Sequence, residues 1–203
     1  MKKNLVCSLM VATLLWFLMF APVVTLPFGF WWAMSGSAVI LMALALGFGG
    51  KPPLHFSINE INMGVGFAVV LWCIFWVGDK VAEWLFCFAR PQIDLIYSMK
   101  DGQDPLWVSL ALLCVIGPAE ELFWRGYVQR TLWAAYSPDK AFVITTAVYT
   151  LVHLPSCNFM LIMAALVCGI VWGGLYRLMS NNLTAIVLSH AIWDASAFVW
   201  HPF

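Results

Sequence analysis

Charge is what this 203-residue chain has least of. Its ten Lys and Arg and ten Asp and Glu make up 10% of the residues, against 63% hydrophobic. A soluble domain carries about 25% charged and about 45–50% apolar residues. So few ionisable side chains cannot cover the core that so much apolar surface would build, and a water-soluble globule is excluded. Disordered, collagen-like and disulfide-scaffold chains are excluded too, because apolar surface dominates. Net charge is zero and the basic residues stand singly, with no stripe to follow a phosphate backbone, so nucleic acid is not a partner. The six cysteines (Cys7, Cys73, Cys87, Cys114, Cys157 and Cys168) form no CxxC pair and read as small buried hydrophobes. Also missing are an HExxH motif, an internal repeat, a low-complexity tract and a separate soluble domain. What remains is one membrane-embedded domain over residues 1–203.

A crossing helix needs roughly 20 apolar residues. The chain offers about seven: Leu5–Thr25, Phe28–Phe48, Ile61–Phe86, Leu106–Arg130, Ala141–Leu154, Phe159–Met179 and Leu183–Trp200. Pro27, Gly49–Pro53, Pro91 with Gly102 and Pro105, Ser137–Pro138, Pro155 and Asn181–Asn182 separate them. The fold class is therefore an all-α, multi-pass membrane helical bundle, with membrane lipid as its first partner. No A-x-A-like site follows the first run, which reads as a retained signal anchor. Lys2, Lys3, Lys51, Arg130, Lys140 and Arg177 fall at one set of ends, which places the N-terminus in the cytoplasm. Asp79, Lys80 and Glu83 read as the solvated exit of the third span, followed by an interfacial segment through Tyr97. His55 and His201 read as solvated.

Ionisable groups within spans cost about 2.5–3.5 kcal/mol each at a helix centre, so those that occur there are candidates for function. Three clusters stand out in residues 106–200, the candidate catalytic core. In Glu120-Glu121-Leu122-Phe123-Trp124-Arg125, Glu121 and Arg125 have the spacing and order of a helical ion pair. Glu120 points elsewhere. Without a cation at that spacing, it suits a general base. Tyr149 and His153 share one helix face, as do His190 and Asp194. A carboxylate on one ring nitrogen of His190 would leave the other aimed at a ligand. Each of these pairs also fits a structural hydrogen-bond network. At ~1.5 Å per residue, Glu120 lies ~15 Å from Arg130 and His190 ~12 Å from Asn182. The fifth span is short, so the turn at Pro155–Asn158 must be buried in protein or line a wet cavity.

In this order the clusters resemble the CPBP family, the CAAX proteases and bacteriocin-processing enzymes related to the type II CAAX prenyl endopeptidases. The family pattern is Glu-Glu-x-x-x-Arg, then Phe-x-x-x-His, then His-x-x-x-Asn/Asp. The match covers residues 117–195, with Tyr149 in place of the usual Phe. The resemblance implies an intramembrane endopeptidase of the glutamate-activated-water type, in a bacterial cytoplasmic membrane, acting on a protein or peptide tail. Glu120 would deprotonate a water that His153 helps position. His190 and Asp194 would line the oxyanion side, while Glu121, Arg125 and Tyr149 support the site. An ionised Asp194 cannot donate to an oxyanion, so that donation falls to His190.

No cofactor is called for on this reading. The rival is a zinc-dependent protease using Glu120, His153, His190 and Asp194 as ligands. A non-catalytic scaffold or immunity-type protein would use the same residues as a structural network. A proton-coupled transporter would need matched broken helices in repeated halves, which the sequence lacks.

Overall fold

The computed structural model describes residues 2–203, the side chain of Lys2 excepted. Helix runs through nearly all of it, and among the described residues there is no strand. Lipid offers no hydrogen bonds to the backbone, so helices, which bond their own N–H and C=O groups, are what such a composition can form. The helices are α1 (Lys2–Phe20), α2 (Phe30–Gly49), α3 (Ile58–Leu85), α4 (Ala89–Tyr97), α5 (Pro105–Ala111), α6 (Gly117–Phe123), α7 (Arg130–Ala135), α8 (Pro138–Leu151), α9 (Phe159–Leu178) and α10 (Leu183–Ala195). Wide π turns at Leu112–Ile116 and Trp124–Gln129 join α5, α6 and α7 into one rod from Pro105 to Ala135. Pro118 lies inside that rod without a backbone donor, next to the first wide turn.

Six of these units are long and apolar enough to cross a membrane: α1, α2, α3, the Pro105–Ala135 rod, α9 and the stretch from Ser180 to Trp200 that contains α10. Their outer faces expose apolar side chains such as Trp84, Val70 and Met10, which water would penalise and acyl chains accept. The chain is an integral membrane protein. The fifth span read from the sequence is the fourteen-residue α8. At ~1.5 Å per residue it reaches ~21 Å, short of a ~30 Å hydrocarbon core. Val152 and His153, just after it, are buried, but the Pro155–Asn158 turn expected to be enclosed is half-exposed, with Cys157 exposed and in a left-handed conformation. The first span ends at Phe20 rather than Thr25, because Pro22 clashes with helical geometry at the residue before it.

The end of α3 departs from expectation. Asp79 is buried, and its carboxylate accepts from Lys80 Nζ at 2.8 Å and Arg90 Nη1 at 3.4 Å. The reason is α4, which brings Arg90 back beside the helix it follows. Gln92 of the same short helix ties it to the start of α9, accepting from Asn158 Nδ2 and the Met160 N–H. At the other end of the bundle, Arg130 donates to the carbonyls of Gly49, Gly50 and Lys51, which α2 leaves without intrahelical partners. Arg177 pairs with Asp139.

A second buried acid went unnoticed in the sequence. Glu60 of α3 accepts from the Ala185 N–H at 2.8 Å and Asn182 Nδ2 at 2.7 Å, capping the N-terminus of α10 from a neighbouring helix. One turn on, Gly64 lies so near α10 that a Cβ would come 2.7 Å from Leu188 Cβ and 3.0 Å from the Ala185 carbonyl oxygen. Together they seat α10, and with it His190 and Asp194. Glu60→Ala leaves the buried Ala185 N–H unpaired and takes the carboxylate partner from half-buried Asn182; it is expected to cost about 1–3 kcal/mol, read as a lower melting temperature of the purified protein.

Candidate functional site

Three elements carry the site. Glu120 and Glu121 sit on α6 and Arg125 in the wide turn that follows it. Tyr149 is in the last turn of α8 with His153 just beyond, and His190 and Asp194 are on α10. The approach of α6 to α10 is set by Gly117, where a Cβ would fall 2.7 Å from Ala191 Cα. Only hydrogen fits between the two backbones. That closeness lets Glu121 reach His190 across the helices.

Glu121 is fully buried and its Oε1 holds two partners, Arg125 Nη1 and His190 Nδ1, each at 2.7 Å. Arg125, also fully buried, lies over the rings of Tyr149 (5.0 Å to the centroid) and Trp172 (5.8 Å). The second nitrogen of His190, Nε2, lies 3.3 Å from Asp194 Oδ2. The ring stacks on Trp172 with centroids 3.7 Å apart and planes 17° apart. His190 therefore sits between two carboxylates. Ionised carboxylates only accept, so the ring serves both only when protonated at both nitrogens. The free nitrogen anticipated at His190 is engaged: Glu121, assigned from its spacing to Arg125 alone, takes it as well.

Glu120 is buried and stands apart from this network. Its Oε2 accepts from the Tyr149 hydroxyl at 3.3 Å, and among the described residues no cation lies within ion-pairing distance. The hydroxyl that distinguishes Tyr149 from Phe is thus directed at this carboxylate. His153 is fixed at both ring nitrogens. Nδ1 lies 2.8 Å from the Tyr149 carbonyl oxygen and Nε2 3.1 Å from Trp16 Nε1 of α1. Trp16, Trp172 and Glu60 have no local signature in the sequence; Trp16 is 137 residues from its partner.

Glu120, Tyr149, His153, His190 and Asp194 all line one cavity of about 500 Å³, whose remaining wall is largely apolar and includes Cys168. The residues from the three motifs thus converge on a single chamber, with Glu121 and Arg125 behind its wall. Asp79, at the end of α3, lines the same chamber. Among the described residues, no group of three or more His, Cys, Asp or Glu is arranged to hold a metal ion. Chemically, the chamber offers a carboxylate without a counter-cation among the described residues, a histidine held by two acids, and largely apolar walls.

Compared with known proteins, residues 102–196, just under half of the chain, match the family described as type II CAAX prenyl endopeptidase Rce1-like. The matched stretch contains all three motifs, in accord with the resemblance they carry. No curated protein and no solved structure matches the chain.

Proposed function

From the Rce1-like character of residues 102–196, which points to a CAAX-type intramembrane protease, we propose that the chain hydrolyses a peptide bond in a membrane-proximal tail, with Glu120 as the base that activates water. The observation that carries this reading is the buried Glu120 carboxylate in the same cavity as His153, His190 and Asp194, with no cation within ion-pairing distance among the described residues. Glu120 takes a proton from water as the oxygen adds to the scissile carbonyl carbon. The oxyanion that forms faces His190. At 3.3 Å the contact of Nε2 with Asp194 is the looser of that ring's two, so a substrate oxygen can displace it while Glu121 keeps Nδ1. Collapse breaks the C–N bond, and the amine leaves with the proton Glu120 had taken. Tyr149 orients Glu120, and Arg125 holds Glu121 in place behind the wall.

The reading is metal-free. Both ring nitrogens of His153 are already engaged, so a metal would have to displace Trp16 or the Tyr149 carbonyl to use that ring. Purified protein is expected to contain no stoichiometric zinc and to keep its activity after chelation. Loss of cleavage on chelation, restored by zinc, would favour the metalloprotease. The end of the bundle that gathers Lys51, Arg130, Asp139 and Arg177 is assigned to the cytoplasm, and with it the N-terminus of α1. The test of function needs no known substrate. Membranes from cells producing this chain or its Glu120→Gln variant are compared for new protein termini by mass spectrometry. Termini that appear only with the unaltered chain support hydrolysis, and identical sets refute it.

A further inference from the structure

The family match ends well short of α1, yet α1 reaches into the site. Trp16 has no exposed surface, and its indole N–H points at His153 Nε2 with 3.1 Å between the nitrogens. The two rings meet edge to face, 6.1 Å apart at 80°. One turn later, Phe20 packs on the same imidazole at 5.6 Å and, like His153, lines the cavity.

Indole N–H is a donor and never an acceptor. His153 Nε2 must therefore present a lone pair to Trp16, which puts the ring proton on Nδ1. That proton donates to the Tyr149 carbonyl oxygen, 2.8 Å away. A ring carrying its proton on Nε2 would set donor against donor and acceptor against acceptor, and a ring rotated by half a turn would present carbon to both partners. The two contacts together select one tautomer and one orientation.

We infer that Trp16 is a positioning residue of the active site, acting through His153, which it holds with Nε2 as the acceptor. The inference rests on the hydrolytic reading above and adds to it a residue from outside the matched half. With both ring nitrogens engaged, the imidazole stands as a fixed piece of the cavity wall that Glu120 also lines, so the space that receives the nucleophilic water keeps one shape. The same chain of bonds passes through Tyr149, whose carbonyl serves His153 and whose hydroxyl serves Glu120. Trp16 thus sets the geometry of one member of the pair, and Tyr149 couples it to the other.

The test separates the N–H from the bulk of the ring. Trp16→benzothienylalanine, introduced at that codon alone, keeps the size of the side chain and replaces N–H by sulfur. Trp16→Phe removes the donor along with part of the ring. Three quantities are measured: the 15N spectrum of histidine-labelled protein with His153 assigned, the melting temperature, and the initial rate at which the Glu120-dependent termini form. For the isosteric variant, His153 is expected to change from one Nδ1-protonated signal to a mixture of tautomers. Cleavage per folded molecule should slow about tenfold, the worth of one hydrogen bond, with only a small fall in melting temperature. Trp16→Phe should show the same spectral change at a lower melting temperature. His153 remaining wholly Nδ1-protonated without the indole N–H, or cleavage at the unaltered rate, overturns the inference. Failure of the hydrolytic reading is seen separately, as termini that persist in Glu120→Gln.

Discussion

In the Glu120→Gln protein, cleavage is expected to fall by about a thousandfold, within the ~10²–10⁴-fold range that a positioned general base supplies. The fold should be untouched. Gln matches Glu in size, and its carbonyl oxygen can still accept from the Tyr149 hydroxyl, the one side-chain hydrogen bond that Glu120 makes among the described residues. No ion pair among the described residues is lost, because the cation nearby, Arg125, pairs with Glu121. What disappears is the ability to take a proton from water. The rate of terminus formation and the melting temperature, measured on the same preparations, report the two effects independently. Normal cleavage by this variant removes Glu120 from the mechanism.

Glu121→Gln should behave in the opposite way, lowering stability and activity together. The Glu121–Arg125 pair has no solvent exposure on either side chain. Breaking such a pair from one side strands a buried guanidinium and costs about 3–5 kcal/mol. His190 loses its charged anchor at Nδ1 in the same step, so the surviving folded fraction should also cleave slowly. The double variant Glu121→Gln/Arg125→Met removes the stranded charge and is expected to regain much of the melting temperature. It should not regain activity, since His190 is still unanchored. If instead the double variant recovers cleavage along with stability, Glu121 serves only to neutralise Arg125.

These contrasting roles for adjacent glutamates were partly legible in the sequence. The spacing of Glu121 to Arg125 announced a pair, and helical rotation sent Glu120 elsewhere. The contact of Glu121 with His190 was not legible, because it depends on Gly117 allowing α6 to approach α10, and a glycine in an apolar run gives no sign of which backbone it will meet. The spans followed from apolar runs and their breakers, the short α8 included; the exception is the end of the first, where Pro22 stops α1 at Phe20, short of Thr25. Asp79 and Glu60 show the limit of reasoning along the chain. Both are carboxylates near helix ends, where solvation is the ordinary expectation. Each is instead buried by an element remote in sequence or folded back upon it, Arg90 in one case and the start of α10 in the other. Trp16 is the extreme instance, a tryptophan among twelve, distinguished only by where its N–H points.

The seating of α10 on Glu60 and Gly64 bears on when the molecule becomes active. Ribosomes deliver α1 through α3 to the bilayer first, so the acceptor surface for α10 is waiting before that helix exists. His190 and Asp194 leave the exit tunnel after α1 to α9, and they reach the chamber only as α10 docks. Whatever reaction the chamber performs therefore stays silent until α10 is in place.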